Sequence, residues 1–262
     1  MFFPLQIPNI LDKDFKKYIL YKEYMDSTVT NHIMCIWSMK SYQTLDKPIN
    51  NVILPDACID LIVDFSSKNI IFTATSKATI NMSLENDVDF MGIRFRPSVF
   101  YNIFGVDSTT IIDNQISYAQ IETNRVLTDI LAINDYDERL QFLLNYIKLI
   151  IEPKQIDNFV KYVNDIDKIK RIKYVQEIAD YLNYSVRQTN RVFKLKCGVS
   201  AKTFLNIIRL HETLKTLIFE SKDMLYNVDI SGFYDQSHFI KEIKKYCGVS
   251  PIELINMYED MS

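Results

Sequence analysis

The sequence predicts an α+β chain in two parts. An N-terminal mixed β-barrel or sandwich-like domain with helices spans residues 1–165, and an all-α C-terminal domain with two helix-turn-helix units spans residues 166–262. Three observations lead there. Short segments with period-2 alternation crowd residues 27–96, apolar residues recur at helical spacing beyond Pro97, and Cys197-Gly198-Val199-Ser200 returns as Cys247-Gly248-Val249-Ser250. With 262 residues, 48% apolar and 24% charged, the chain can bury two sizeable cores.

Strands are expected at Ile33 to Met39, Asn51 to Leu54, Ile59 to Phe65, Asn69 to Thr75, Thr79 to Met82 and Val88 to Phe95. The third is the clearest, because Ile59, Leu61, Val63 and Phe65 alternate with Asp60, Ile62 and Asp64, the mark of a half-buried strand. In the last, Arg94 and Arg96 alternate with Ile93 and Phe95, so period 2 assigns both arginines to one face.

Pro97 then opens a helical run of Val99, Phe100, Tyr101, Ile103 and Phe104, closed by Gly105. A longer helix starts after Asp135, which with Glu138 fits a capping box, and Pro153 ends it. Its stripe of Leu140, Leu143, Leu144, Ile147, Ile150 and Ile151 is either core or a dimer face. Ile156, Phe159, Val160 and Val163 mark a further helix. The charged stretch Asn164 to Lys173 reads as the joint between domains, with the boundary near 164–172.

In the C-terminal part, Val175, Ile178, Ala179 and Leu182 form one apolar helical stripe. Asn183-Tyr184-Ser185 supplies a turn and an N-cap, so a second helix starts at Val186. On it Arg187, Asn190, Arg191 and Lys194 share a polar, basic face, and Gly198 ends it as a residue free to take positive φ. Ser200 caps the next helix, which carries Phe204, Ile207, Ile208, Leu210 and Leu214 and is expected to run from about Lys202 to Phe219 as the connector of the two units. In the second unit Gly232-Phe233-Tyr234-Asp235 forms the turn, and Gln236 to Tyr246 is the exposed helix, with Ser237, His238 and Lys241 facing outward. Lys244 and Lys245 sit where phosphates would be met.

Net charge is −3, which alone argues weakly against a nucleic-acid partner, but the charge is unevenly spread. Residues 1–170 hold 17 Lys and Arg against 22 Asp and Glu, whereas 171–262 hold 13 against 11, and Val186 to Lys196 carries four cations and no acid. No window approaches eighteen consecutive apolar residues, and Met1-Phe2-Phe3-Pro4 lacks the basic and long apolar regions of a signal peptide. The expectation is a cytoplasmic protein without a membrane partner.

Chemistry finds little to work with. Asp56, Asp60 and Asp64 could in principle serve as acid and base, but solvation or pairing with Arg94 and Arg96 is the simpler reading, and no catalytic residue is assigned. His32, His211 and His238 lie in separate segments, and Cys35, Cys58, Cys197 and Cys247 lack paired spacing, so no metal is expected. The cysteines read as buried, reduced thiols. No phosphate-cradling glycine loop or nucleophile elbow is present, and no cofactor is expected. Trp37, Tyr42, Phe65, Phe72, Phe90 and Phe95 are core or line an apolar pocket. Trp37, Arg94 and Arg96 are the candidate contacts of a small-molecule effector.

The run Gly-Phe-Tyr-Asp-Gln-Ser-His-Phe at 232–239, followed by Lys244-Lys245-Tyr246 and Gly248-Val249-Ser250-Pro251, resembles the signature of the AraC/XylS family of bacterial transcription regulators. The first unit follows that pattern with Thr189 for Leu, Ala201 for Pro and Thr213 for Ala. Asn227-Val228-Asp229 replaces an Ile-Ala pair in the second. The resemblance implies double-stranded DNA as partner, with base-facing roles for Arg187, Asn190 and Arg191 and for Ser237, His238 and Lys241. Gln188, Lys194, Gln236, Lys244 and Lys245 complete the candidate contacts. RNA polymerase and a second copy of the chain are further candidate partners. Residues from about Trp37 to Ile151 resemble a sensor-like domain found ahead of such readers, carried by Val52 to Ile62, Gly92 to Pro97 and Phe104-Gly105-Val106, with Ala57 where that pattern prefers Gly. The rival reading is a protein-interaction module with a degenerate reader.

Overall fold

The computed structural model describes residues 14–74, 79–122, 125–152, 155–220 and 235–259. After a helical turn α1 (Phe15–Tyr18) come β1 (Ile19–Tyr24), β2 (Ile33–Ser41), β3 (Leu45–Ile53), β4 (Ile59–Asp64), β5 (Asn69–Thr73), β6 (Ile80–Asn86) and β7 (Asp89–Phe95), then α2 (Val99–Phe104) and β8 (Gln115–Ser117). Six strands form one antiparallel sheet in the order β1-β2-β7-β4-β5-β8, while β3 and β6 make a separate ribbon. The two edge strands lie at opposite ends of that order, so the sheet stays open: the barrel form of the expectation is corrected to the sandwich-like one. Two strands escaped the sequence reading. β1, Ile-Leu-Tyr-Lys-Glu-Tyr, is an edge strand whose last three residues are exposed, so it shows no alternation; β8 has only three residues.

Register assigns the two faces. Ile36, Ile93 and Leu61 stand opposite one another on β2, β7 and β4, as do Cys35, Arg94 and Asp60. The first row belongs to an apolar layer shared with Val99, Phe100, Ile103, Leu143 and Ile147. The second row faces the ribbon, whose Leu45, Ile49 and Leu84 pack with Trp37 and Met39.

The helices follow as α3 (Tyr118–Ile121), α4 (Tyr136–Ile151), α5 (Asn158–Val163), α6 (Ile166–Ile169), α7 (Val175–Leu182), α8 (Val186–Cys197), α9 (Ala201–Lys215), α10 (Gln236–Cys247) and α11 (Pro251–Glu259). Asp135 caps α4, its carboxylate accepting from the amides of Asp137 and Glu138 at 2.9 and 3.0 Å. Leu140, Leu143, Leu144 and Ile147 are buried against the sheet, so most of that stripe is core and not a dimer face. Pro153, expected to stop the helix, lies outside the described residues. The charged joint folds too: Ile166 and Ile169 of α6 are buried while the charges around them face solvent. α9 continues into a π-helical turn at Thr216–Glu220, close to the expected end of the connector.

Candidate DNA interface and effector cavity

Two capped helices carry the basic residues. Ser185 opens α8 by accepting from the Gln188 amide at 3.1 Å, and Gly198 closes it at φ 75°, donating to the Lys194 carbonyl at 2.9 Å. Its buried stripe is Thr189, Phe193 and Cys197, two successive steps of four residues. Phe193 meets Phe159 and Phe204 edge-on with ring centroids 5.0 and 5.4 Å apart, which fixes the helix's rotation. Thr189, where the family pattern has Leu, satisfies its hydroxyl on the Ser185 carbonyl at 3.1 Å. The opposite side leaves Arg187, Gln188, Arg191 and Lys194 exposed, with Asn190 half-buried and its amide donating to the Val186 carbonyl at 3.1 Å.

The second unit repeats this where it is described. Gln236, Ser237, Lys241, Lys244 and Lys245 are exposed on α10, and Phe239 and Ile243 are fully buried on its other side. Lys245 also pairs with Glu242 at 3.6 Å. Ser250 and Glu253 form a reciprocal capping box, the Ser250 amide donating to Glu253 at 2.7 Å and the Glu253 amide to Ser250 at 3.3 Å. The turn at Gly232-Phe233-Tyr234 and the segment Asn227-Val228-Asp229 lie outside the described residues, as does the His238 side chain.

α8 is not free of the sheet domain. The Ser108 hydroxyl donates to the Lys196 carbonyl at 2.9 Å, and the Lys196 ammonium pairs with Asp157 while lying 5.1 Å from the Phe159 ring centroid. Lys196 is thus occupied, whereas Arg187, Gln188, Arg191 and Lys194 make no side-chain pair among the described residues. α9 is tied down as well. His211 is 2% exposed and its Nε2 lies 2.9 Å from the Pro55 carbonyl. A carbonyl only accepts, so Nε2 carries the proton. Burial drives the imidazole pKa down to about 4, against the opposing pull of that hydrogen bond.

Pro55 and Asp56 lead directly into the second feature, a cavity of about 620 Å³ between the sheet and the ribbon. Trp37 and Arg94 line it. Trp37 stands opposite Gly92 in register, and its ring occupies the space a side chain there would need: a Cβ on Gly92 would fall 2.4 Å from Trp37 Cε2. Arg94 Nε and Nη2 donate to the two oxygens of Asp60 at 3.1 and 3.2 Å, and Nε lies 3.5 Å from Asp56. Burial raises the pKa of both aspartates although Arg94 pulls the other way.

Arg96 departs from its expected place beside Arg94. β7 ends at Phe95, so strand alternation does not extend to residue 96. Its Nε instead donates to the Thr30 carbonyl, and the side chain lines a separate cleft of about 360 Å³. Of the six aromatics proposed for a pocket, Trp37 and Phe90 line the cavity, Phe72 and Phe95 are fully buried in the opposite layer, Tyr42 is exposed, and Phe65 lies 3.4 Å under the Arg139 guanidinium. Asp64 uses its carboxylate on the amides of Ser66 and Ser67 at 2.9 and 3.0 Å. The four cysteines are free and buried. Sequence reasoning missed Asn51 and Tyr21 on the cavity wall and the His211 tie. Only the sheet register, which no local pattern encodes, brings these residues together.

Residues 178–257 match the family model described as a helix-turn-helix domain, and residues 26–117 match a domain of unknown function, DUF6597. None of the curated proteins matches. Among solved structures, ToxT from Vibrio cholerae in its P21 form at 1.65 Å is 16% identical, with 92% of this chain and 98% of that chain covered and a TM-score of 0.42. ToxT from Vibrio cholerae O395 bound to (E)-4-(8-methylnaphthalen-1-yl)but-3-enoic acid has 16% identity, the same coverage of 92% and 98%, and a TM-score of 0.43. Unsaturated fatty acid-bound wild-type ToxT from Vibrio cholerae strain SCE256 has 14% identity, coverage of 92% and 94%, and a TM-score of 0.39. Among the described residues no helix is long and apolar enough to cross a membrane. The capped helices and the closing signature thus fall within the helix-turn-helix domain matched over residues 178–257, and there the chain resembles the AraC/XylS family of DNA-binding transcription regulators.

Proposed function

We propose that α8 and α10 read adjacent major-groove segments about 10 base pairs apart, and that a small molecule in the sheet-to-ribbon cavity controls this reading. The observation that carries the DNA assignment is the exposed row of Arg187, Gln188, Arg191 and Lys194 on a helix whose other stripe is fully packed. Arginine and amide side chains near a helix start match purine edges in the major groove, and on α10 the base-facing role falls to Ser237, His238 and Lys241, whereas Lys244 and Lys245 serve phosphates. We place the division between sensor and reader at 165/166, where the α6 isoleucines join the core around Phe193 and Phe204. Control by a ligand is supported by continuity: Leu54 packs with Leu210 and Leu214 of α9, Pro55 accepts from His211, and Asp56 faces the cavity. A change at the cavity wall therefore reaches the connector within two residues. Dimerisation and contact with RNA polymerase belong to the same reading.

The test is to incubate the full chain with fragmented genomic DNA under excess nonspecific competitor and sequence what is retained. A few sites with paired half-sites are expected. Arg191→Ala should then weaken binding to those sites by about 1–3 kcal/mol and relax base preference at one position, while Lys245→Ala should weaken all sequences alike and lower the salt dependence. Unchanged affinity and preference in Arg191→Ala would remove that residue from the reading face.

A further inference from the structure

The walls of the cavity are unbalanced. Arg94 is the one cation on them among the described residues, and it faces two carboxylates, Asp56 and Asp60, whose side chains are 8% and 18% exposed. One guanidinium neutralises one carboxylate, so among the described residues the second buried carboxyl on this wall has no cation of its own. Burying charge without a partner is costly. A second observation points the same way. Asn51, on β3 of the ribbon, lines the cavity and is 3% exposed, and its Oδ1 has no hydrogen-bond partner. An unpaired buried acceptor costs about 1–3 kcal/mol. A donor carrying positive charge answers both, the carboxyl pair by its charge and the Asn51 oxygen by its hydrogen. Trp37 and Phe90 add aromatic wall beside them, suited to the apolar body of a ligand and to a cation held near a ring.

We propose that the effector of this cavity is a small organic cation, an amine or amidine on an apolar or aromatic body, whose N–H groups are held between Asp60 and Asn51. This rests on the reading of the cavity as the effector site and names the chemistry it accepts. Arg94 is not available to a carboxylate ligand: two of its nitrogens are already committed to Asp60, and a ligand anion would join two carboxylates already sharing it. At about 620 Å³ the cavity has room for a molecule of one or two rings.

Trp37 is the only tryptophan of the chain and stands on the cavity wall, so its emission reports occupancy at the place in question. The full chain is titrated with three probes of matched body, 2-phenylethylamine, 3-phenylpropanoate and 2-phenylethanol, reading Trp37 emission and melting temperature. The amine is expected to change the emission saturably and raise the melting temperature, with the carboxylate at least about tenfold weaker. Asp60→Asn, which removes the excess charge, should weaken the amine by about tenfold and leave the alcohol unchanged. Should that variant fail to fold, the comparison of amine with carboxylate in the unaltered chain still decides. Tighter binding of the carboxylate or the alcohol overturns the cation assignment while leaving the cavity as an effector site. Silence of Trp37 toward all three overturns both readings together.

Discussion

The same four residues, Cys-Gly-Val-Ser, close a helix at two places in this chain and are packed differently. Gly198 and Gly248 both adopt positive φ, 75° and 77°, and both donate their amide to a carbonyl four residues back, Lys194 and Lys244, at 2.9 Å. Locally the two corners are the same object. Yet a Cβ on Gly198 would fall 2.4 Å from Ile112 Cγ1 and 3.1 Å from the Ser108 carbonyl, whereas a Cβ on Gly248 would meet nothing within 4 Å. The Gly198 corner is pressed into the sheet domain, whereas the Gly248 corner has room for a side chain although the Thr79 hydroxyl donates to the Tyr246 carbonyl beside it. A repeat in sequence therefore sets the backbone of each unit but not the closeness of its fit: both reading helices are tied to the sheet domain one residue before their Cys-Gly corner, Lys196 by Ser108 and Tyr246 by Thr79, but only the Gly198 corner leaves no room for a side chain.

The largest expected effect breaks this comparison directly. Gly198→Ala adds left-handed strain of about 1–2 kcal/mol to overpacking against Ile112 of about 1–3 kcal/mol, a total near 3–4 kcal/mol. Gly248→Ala carries the strain alone, about 1–2 kcal/mol. Urea unfolding of the two variants measures both, and equal losses would mean that the Ile112 contact does not hold α8 to the sheet.

The connector supplies the next test. His211 is kept neutral in the native chain with a pKa of about 4, below the ordinary 6.5 of an unfolded histidine. Between those values the unfolded chain binds the proton and the native chain does not, so stability rises with pH through that window. It is fully present above about 6.5 and falls as pH drops toward 4, by about 3 kcal/mol. His211→Gln, which can still donate to the Pro55 carbonyl, should flatten the profile of melting temperature against pH between 4 and 6.5. A variant with the same slope as the parent would assign the acid sensitivity elsewhere.

Much of this architecture was legible because local rules carried it. Period 2 located β4 and β7, the capping residues Asp135, Ser185 and Ser200 placed three helix starts, and the duplicated corner located the reader. What was illegible depends on pairing. The assignment of Arg94 and Arg96 to one face assumed that the strand continued past Phe95, but the chain turns there and Arg96 finds the Thr30 carbonyl. The basic helix showed which residues could face DNA, since Thr189, Phe193 and Cys197 take the other side. It did not show that Lys196 is claimed by Asp157, 39 residues earlier. Asn51 gives no local signal at all, because its surroundings are created by the ribbon folding over the sheet.

A third left-handed corner sharpens the comparison from the other side, since there the residue is not glycine. Ala57 has φ 59° and is 3% exposed, between Asp56 and Cys58 on the edge of the cavity. The sensor-like pattern prefers Gly at this position, and the backbone supplies the reason: an L side chain is disfavoured by about 1–2 kcal/mol in this region. The corner is held from within, the Asp56 carboxylate accepting the Cys58 amide at 2.9 Å, and from without, by His211 on the Pro55 carbonyl. Ala57→Gly relieves the strain but adds freedom to the unfolded chain worth about 0.4–1 kcal/mol. The net expectation is a gain of about 0.5–1 kcal/mol, seen as a higher urea midpoint with an unchanged slope. A loss of stability would mean that the Ala57 methyl packs more favourably than its backbone is strained, and that this corner, unlike the one at Gly198, is set by its buried neighbours and not by φ.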